Sequence, residues 1–172
     1  FGNATHPFGD VDLLSWVNLR YRGYFVVGTK GVQLGSSVSR AGDVNGDGVD
    51  DIIIGARFAG VSPRLNAGAT YVIFGRRVTL SDEPLPNLTI TMIEISSLYG
   101  FRILGAAQDD LSGTSVSSAG DVNDDGITDI IVGAPFASSA DLYMCGVSYV
   151  IFGHKGPFVE VDLLTTKSGK YT

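Results

Sequence analysis

Two nine-residue segments hold the densest set of metal-ligating side chains in this sequence. The first runs Asp43-Val44-Asn45-Gly46-Asp47-Gly48-Val49-Asp50-Asp51, and the second Asp121-Val122-Asn123-Asp124-Asp125-Gly126-Ile127-Thr128-Asp129. Both follow the pattern D-x-N-x-D-G-x-x-D. Oxygen-bearing side chains at alternate positions converge on one point when the backbone curls around it. Such a donor set suits a hard cation, and calcium takes about six to eight oxygens at ~2.3–2.6 Å. The expected ligands are Asp43, Asn45, Asp47, the carbonyl of Val49 and the closing Asp51. In the second loop they are Asp121, Asn123, Asp125, the carbonyl of Ile127 and Asp129. Gly48 and Gly126 stand where a sharp turn needs positive φ. The expectation is two calcium ions, one per loop.

Other readings of these loops fit less well. A polar turn without metal leaves three patterned carboxylates in each loop repelling one another. Zinc wants His or Cys at ligand spacing, and neither is present. Magnesium keeps its waters and seldom fills an all-protein cage. An EF-hand loop runs about twelve residues, ends on an acidic ligand and leads into a helix. Here the twelfth positions are Ile54 and Val132, inside the runs Ile-Ile-Ile-Gly and Ile-Ile-Val-Gly. Those runs are strand chemistry, so each loop is expected to join two strands of a hairpin.

The strands that must hold the loops lie in an internal repeat. Residues 35–59 and 113–137 align without gaps, and Tyr71-Val-Ile-Phe-Gly75 recurs as Tyr149-Val-Ile-Phe-Gly153. Each unit reads as four short strands. Strand one is 36–41 or 114–119, strand two 51–56 or 129–134, and strand three 69–74 or 147–152. Strand four is 101–104, with 24–27 as its counterpart from the preceding unit. Segments 3–22 and 76–100 read as outer insertions. A weaker echo pairs Phe8-Gly-Asp-Val-Asp-Leu-Leu14 with Phe158-Val-Glu-Val-Asp-Leu-Leu164. The chain therefore divides into 1–28 (the tail of one unit), 29–107 (a first full unit) and 108–172 (a second unit lacking most of strand four). Its start at Phe1-Gly2 reads as a cut inside a longer chain.

Composition agrees with a globular all-β domain. Hydrophobic residues make up 44% and charged residues 17%, and 23 glycines sit mostly singly between apolar runs, as tight turns require. A net charge of −6 argues against a nucleic-acid-binding face. No apolar stretch reaches the ~18–20 residues of a membrane span. The single cysteine, Cys145, has no partner for an internal disulfide and is expected to be a small buried side chain, like its counterpart Ala67. His6 and His154 stand alone and read as surface residues. Trp16 and Tyr21 read as ordinary packing.

The Gly-Asp-Val-Asn-x-Asp-Gly core at 42–48 and 120–126 resembles FG-GAP repeats, the blades of integrin α-subunit propellers. Gly133-Ala134-Pro135 fits the second half of that name, and Gly55-Ala56-Arg57 fits it in part. Leu34-Gly35 and Ser112-Gly113 replace the Phe-Gly. The resemblance implies β-propeller blades, each a four-stranded antiparallel sheet, with calcium between strands one and two. Two units make an incomplete propeller.

The function expected on that basis is cell adhesion or protein interaction outside the cell, with protein or glycan ligands. A repeating subunit of an extracellular fibre is the alternative. In that alternative, strand 24–27 of one copy completes the last blade of another. A third reading is a non-catalytic accessory domain of a secreted carbohydrate- or lipid-active enzyme. No G-x-S-x-G, H-E-x-x-H or phosphate-binding glycine loop appears, so catalysis is not expected here. Asn3-Ala-Thr5 and Asn87-Leu-Thr89 are N-glycosylation sequons.

Overall fold

A computed structural model of the chain describes residues 24–60, 62–77, 88–90, 98–139 and 141–164. The sequons at Asn3 and Asn87, the insertion 3–22 with His6, Trp16 and Tyr21, and the chain end at 169–172 lie outside those residues.

The fold is all-β. In chain order the strands are β1 (Val26–Gly28), β2 (Leu34–Gly42), β3 (Asp51–Ala56), β4 (Ala69–Ile73) and β5 (Leu88–Ile90). They continue with β6 (Gly100–Leu104), β7 (Ser115–Gly120), β8 (Asp129–Ala134), β9 (Val147–Ile151) and β10 (Val161–Asp162). Strand two of each unit falls where the β-branched run predicts it. Strands one, three and four agree to within two residues.

The first unit builds an antiparallel meander β2-β3-β4-β6, and the second builds β7-β8-β9. Both strand-one/strand-two hairpins carry a register shift beside the acidic loop, between Arg40 and Gly42 and between Ser118 and Gly120. Gly42 and Gly120 take positive φ there, +78° and +77°. Such irregularities bend a strand and increase its twist, which turns the loop off the end of the sheet.

The two sheets pack face to face, as blades of a propeller do. Ala41, Ile53, Val72 and Phe101 of the first blade share one core with Ile130 and Val132 of the second. Gly55 sits against the backbone of the next blade, and a Cβ added there would lie 2.0 Å from the carbonyl oxygen of Gly113. Ser37 Oγ donates to the same carbonyl at 2.7 Å. A side chain at position 55 would therefore prop the blades apart.

Two short strands were not evident in the sequence. β5 lies inside the presumed insertion 76–100 and pairs in parallel with β1, Val26 opposite Leu88. β10 follows strand three of the second unit but pairs in parallel with β6 of the first, Val161 opposite Ile103. Each three-to-four connection thus runs back to the outer strand of the preceding unit. One edge of β1, which the fibre reading needs for a neighbouring copy, is occupied within the chain.

Cys145 departs from expectation, because it is exposed. Ala67 is buried, and its carbonyl accepts the Ser112 N–H at 2.9 Å from the connection into the next blade. Cys145 has no such cover among the described residues.

Candidate metal centre

Each acidic loop joins strand one to strand two, and β3 or β8 begins on its last aspartate. No helix follows either loop, which removes the EF-hand alternative.

Within the first loop the side chains organise the backbone. Asp43 accepts the Asp47 N–H on Oδ1 and the Gly48 N–H on Oδ2, both at 2.9 Å. Asn45 Oδ1 also accepts the Asp47 N–H, at 3.0 Å. Asp47 Oδ1 accepts the Val49 N–H at 2.8 Å, and its Oδ2 accepts from Asn45 Nδ2 at 2.9 Å. The second loop repeats this set, with Asp121 accepting from Asp125 and Gly126 at 3.0 and 2.7 Å. Asn123 accepts the Asp125 N–H at 3.3 Å and donates to Asp125 Oδ2 at 2.9 Å. Asp125 Oδ1 accepts the Ile127 N–H at 2.9 Å. Gly48 and Gly126 both adopt φ of +84°, the left-handed turn that the spacing predicts.

The ninth aspartate has a role the sequence did not reveal. Asp51 is buried and accepts the Val44 N–H on Oδ2 at 2.9 Å and the Gly75 N–H on Oδ1 at 2.8 Å. Asp129 accepts from Val122 at 2.8 Å and from Gly153 at 2.9 Å. This carboxylate pins the start of the loop to the end of strand three. Gly75 and Gly153, the last residues of the recurring Tyr-Val-Ile-Phe-Gly, are its partners. Position 75 must be glycine, because an added Cβ would lie 2.1 Å from the Asp50 carbonyl oxygen.

Burial pushes the Asp51 carboxyl up to about 6, and Asp47 and Asp43 push the same way. The Gly75 and Val44 N–H groups pull it back. A nearby cation would relieve that strain by neutralising the clustered charge.

The structure brings Asp43, Asn45 and Asp47 into one hydrogen-bonded cluster, with Asp51 beneath it. Among the described residues, no group of three or more His, Cys, Asp or Glu side chains is placed to hold a metal ion. The carboxylates of Asp43 and Asp47 face N–H groups of their own loop, whereas Asp51 is shared between the loop and Gly75. The donor set still fits a hard cation: it contains only oxygen, and each carboxylate oxygen retains a lone pair beyond its N–H bond.

The loops differ in their surroundings. The first is half-buried against the second blade, where the backbone carbonyl of Asp43 accepts the Thr128 N–H and that of Val44 accepts the His154 N–H, both at 3.1 Å. The second loop is mostly exposed.

The family model described as the FG-GAP repeat matches residues 34–73 and 112–150, which span β2–β4 and most of β7–β9. Both units are FG-GAP repeats. Integrin alpha-5 of Xenopus laevis is 31% identical over 158 residues, covering 90% of this chain and 13% of that protein. Phosphatidylinositol-glycan-specific phospholipase D of Dictyostelium discoideum is 32% identical over 116 residues, 67% of this chain and 12% of that protein. The Bos taurus protein of the same name is 33% identical over 125 residues, 72% of this chain and 14% of that protein. The chain therefore spans about an eighth of the length of these three relatives, at 12%, 14% and 13%. The two FG-GAP units are β-propeller blades, and their acidic hairpin loops lie inside the matched residues. Among the described residues, no helix is long and apolar enough to cross a membrane.

Proposed function

We propose that this chain is a calcium-stabilised propeller segment that works outside the cell as a binding surface for other proteins. One observation carries the reading. A nine-residue all-oxygen loop recurs on equivalent FG-GAP hairpins, each closed by a buried aspartate. Asp43, Asn45, Asp47 and Asp51, with the Val49 carbonyl, would hold one ion. Asp121, Asn123, Asp125 and Asp129, with the Ile127 carbonyl, would hold the other. Calcium supplies positive charge between carboxylates that otherwise repel. The chain's own residues shape the loop and tie it to strand three.

The integrin alpha relatives support protein interaction as the task. The segment itself performs no catalysis in this reading. Solid-phase binding to a panel of extracellular proteins, with calcium and with chelator, tests it. Saturable binding that chelator abolishes is expected. Equal binding in both conditions, or none to any protein, contradicts it.

A second reading rests on the other group of relatives. Two of those described above carry the name of a phosphatidylinositol-glycan-specific phospholipase D. In that setting the blades would serve as a non-catalytic accessory domain beside a lipid-cleaving unit. Calcium-dependent binding to glycosylphosphatidylinositol-bearing vesicles, with no binding to the protein panel, would favour it.

A further inference from the structure

The segment after strand three of the second unit does not stay with its own blade. It crosses to the first, where Val161–Asp162 adds a parallel strand to the outer edge of β6. Phe158 stacks on Phe101 with ring centroids 4.5 Å apart, and His154 stacks on Phe158 at 4.0 Å. Leu163 is 1% exposed in the core between the blades.

Two arginines of the first blade meet the carboxylates of this strap. Arg64, on the β3–β4 connection, donates from Nη1 to Asp162 Oδ1 at 2.6 Å and from Nη2 to Oδ2 at 2.7 Å. The same Nη1 donates to the Gly105 carbonyl at 2.8 Å. Arg102, on β6, donates from Nε to Glu160 at 2.7 Å. Glu160 and Asp162 are two residues apart in an extended segment, so they share a face. The Arg64–Asp162 pair is bidentate and mostly buried, with side chains 15% and 30% exposed. By contrast, Arg40–Asp50 is 74% and 58% exposed, a surface pair of little consequence. The crossing also occurs one unit earlier, where β5 pairs in parallel with β1. It is a feature of the repeat.

We propose that Phe158–Leu163 is an inter-blade clasp, a strap from one FG-GAP unit that docks on the strand-four edge of the preceding unit and is keyed there by Arg64 and Arg102. The partner this edge selects is an extended segment with an apolar anchor followed by carboxylates on one face. The clasp makes the outer strand of one blade depend on its neighbour, so successive blades unfold together. Its side chains lie outside both acidic loops, so it stands whether or not those loops hold calcium.

Amide hydrogen exchange on the intact chain tests the clasp. Asp162→Asn and Arg64→Met should each speed exchange of the β10 and β6 amides about tenfold, in keeping with the loss of a charged hydrogen-bond pair. The double variant should be no faster than Arg64→Met alone, which already loses both the Asp162 and the Gly105 bonds. Arg64→Asp combined with Asp162→Arg should recover part of the protection. If Arg64→Met does not fold, Arg64→Lys, which keeps the charge and loses the fork, should give a smaller change in the same direction. Unchanged exchange in the single variants, additive effects in the double, or equal acceleration throughout β2–β4 would each overturn the proposal.

Discussion

Asp129 and Asp125 both belong to the acidic pattern, yet the structure gives them different work. Asp129 is fully buried and is the acceptor for the N–H groups of Val122 and Gly153. Asp129→Ala would leave the buried Gly153 N–H and the part-buried Val122 N–H without their acceptor, at a cost of about 2–5 kcal/mol. Its melting temperature should fall even in chelator. Asp125 is exposed, so Asp125→Ala should melt close to the parent in chelator and fall behind only when calcium is added. Thermal melts with and without calcium separate the two roles.

Two glycines make a similar contrast. Gly126→Ala meets no neighbouring atom and should suffer only from its left-handed backbone, about 1–2 kcal/mol. Gly75→Ala collides with the Asp50 carbonyl and should cost more. Denaturant midpoints rank them. Asp162 brings a pH dependence. The hydrogen bonds from Arg64 hold its carboxyl below the ordinary range near 4. Folding then favours the ionised form, so its contribution is complete above about pH 4 and fades as pH falls through the folded value. Acid titration of stability from pH 5 to 3 should be flatter in Asp162→Asn than in the parent.

Equivalent strands in the two units differ in what covers them. Ile52 and Ile130 occupy the same place in the repeat. Ile130 is 0% exposed between the blades, whereas Ile52 is 38% exposed on the face turned away from the second blade. Ile130→Ala should therefore cost about 2–5 kcal/mol and Ile52→Ala much less, as read by chemical denaturation. The strands themselves were legible, because β-branched runs between Asp and Gly have few other uses. The hairpin turns were legible as well, because D-x-N-x-D-G-x-x-D sets a glycine at the left-handed turn and runs each time into a β-branched stretch. What escaped was non-local. Asp51 reaches Gly75 across 24 residues, and Arg64 reaches Asp162 across 98. No period or spacing encodes such pairs. β5 and β10, of three and two residues, are too short to leave an alternating pattern. Cys145 misled because its repeat partner is covered by the next unit.

The assembled blades combine these parts. Acidic loops project from one end, each tied by its buried aspartate to strand three. The first loop also touches the second blade through Asp43 and Val44. The returning strap closes the outer edge. An ion in the first loop would thus brace the joint between blades as well as its own hairpin. Isothermal titration of the chelator-stripped chain with calcium tests this account. Two ions per chain are predicted, falling to one in Asp125→Ala and to none when Asp47→Ala is added. The absence of saturable heat at millimolar calcium, or a stoichiometry that neither substitution changes, would contradict it.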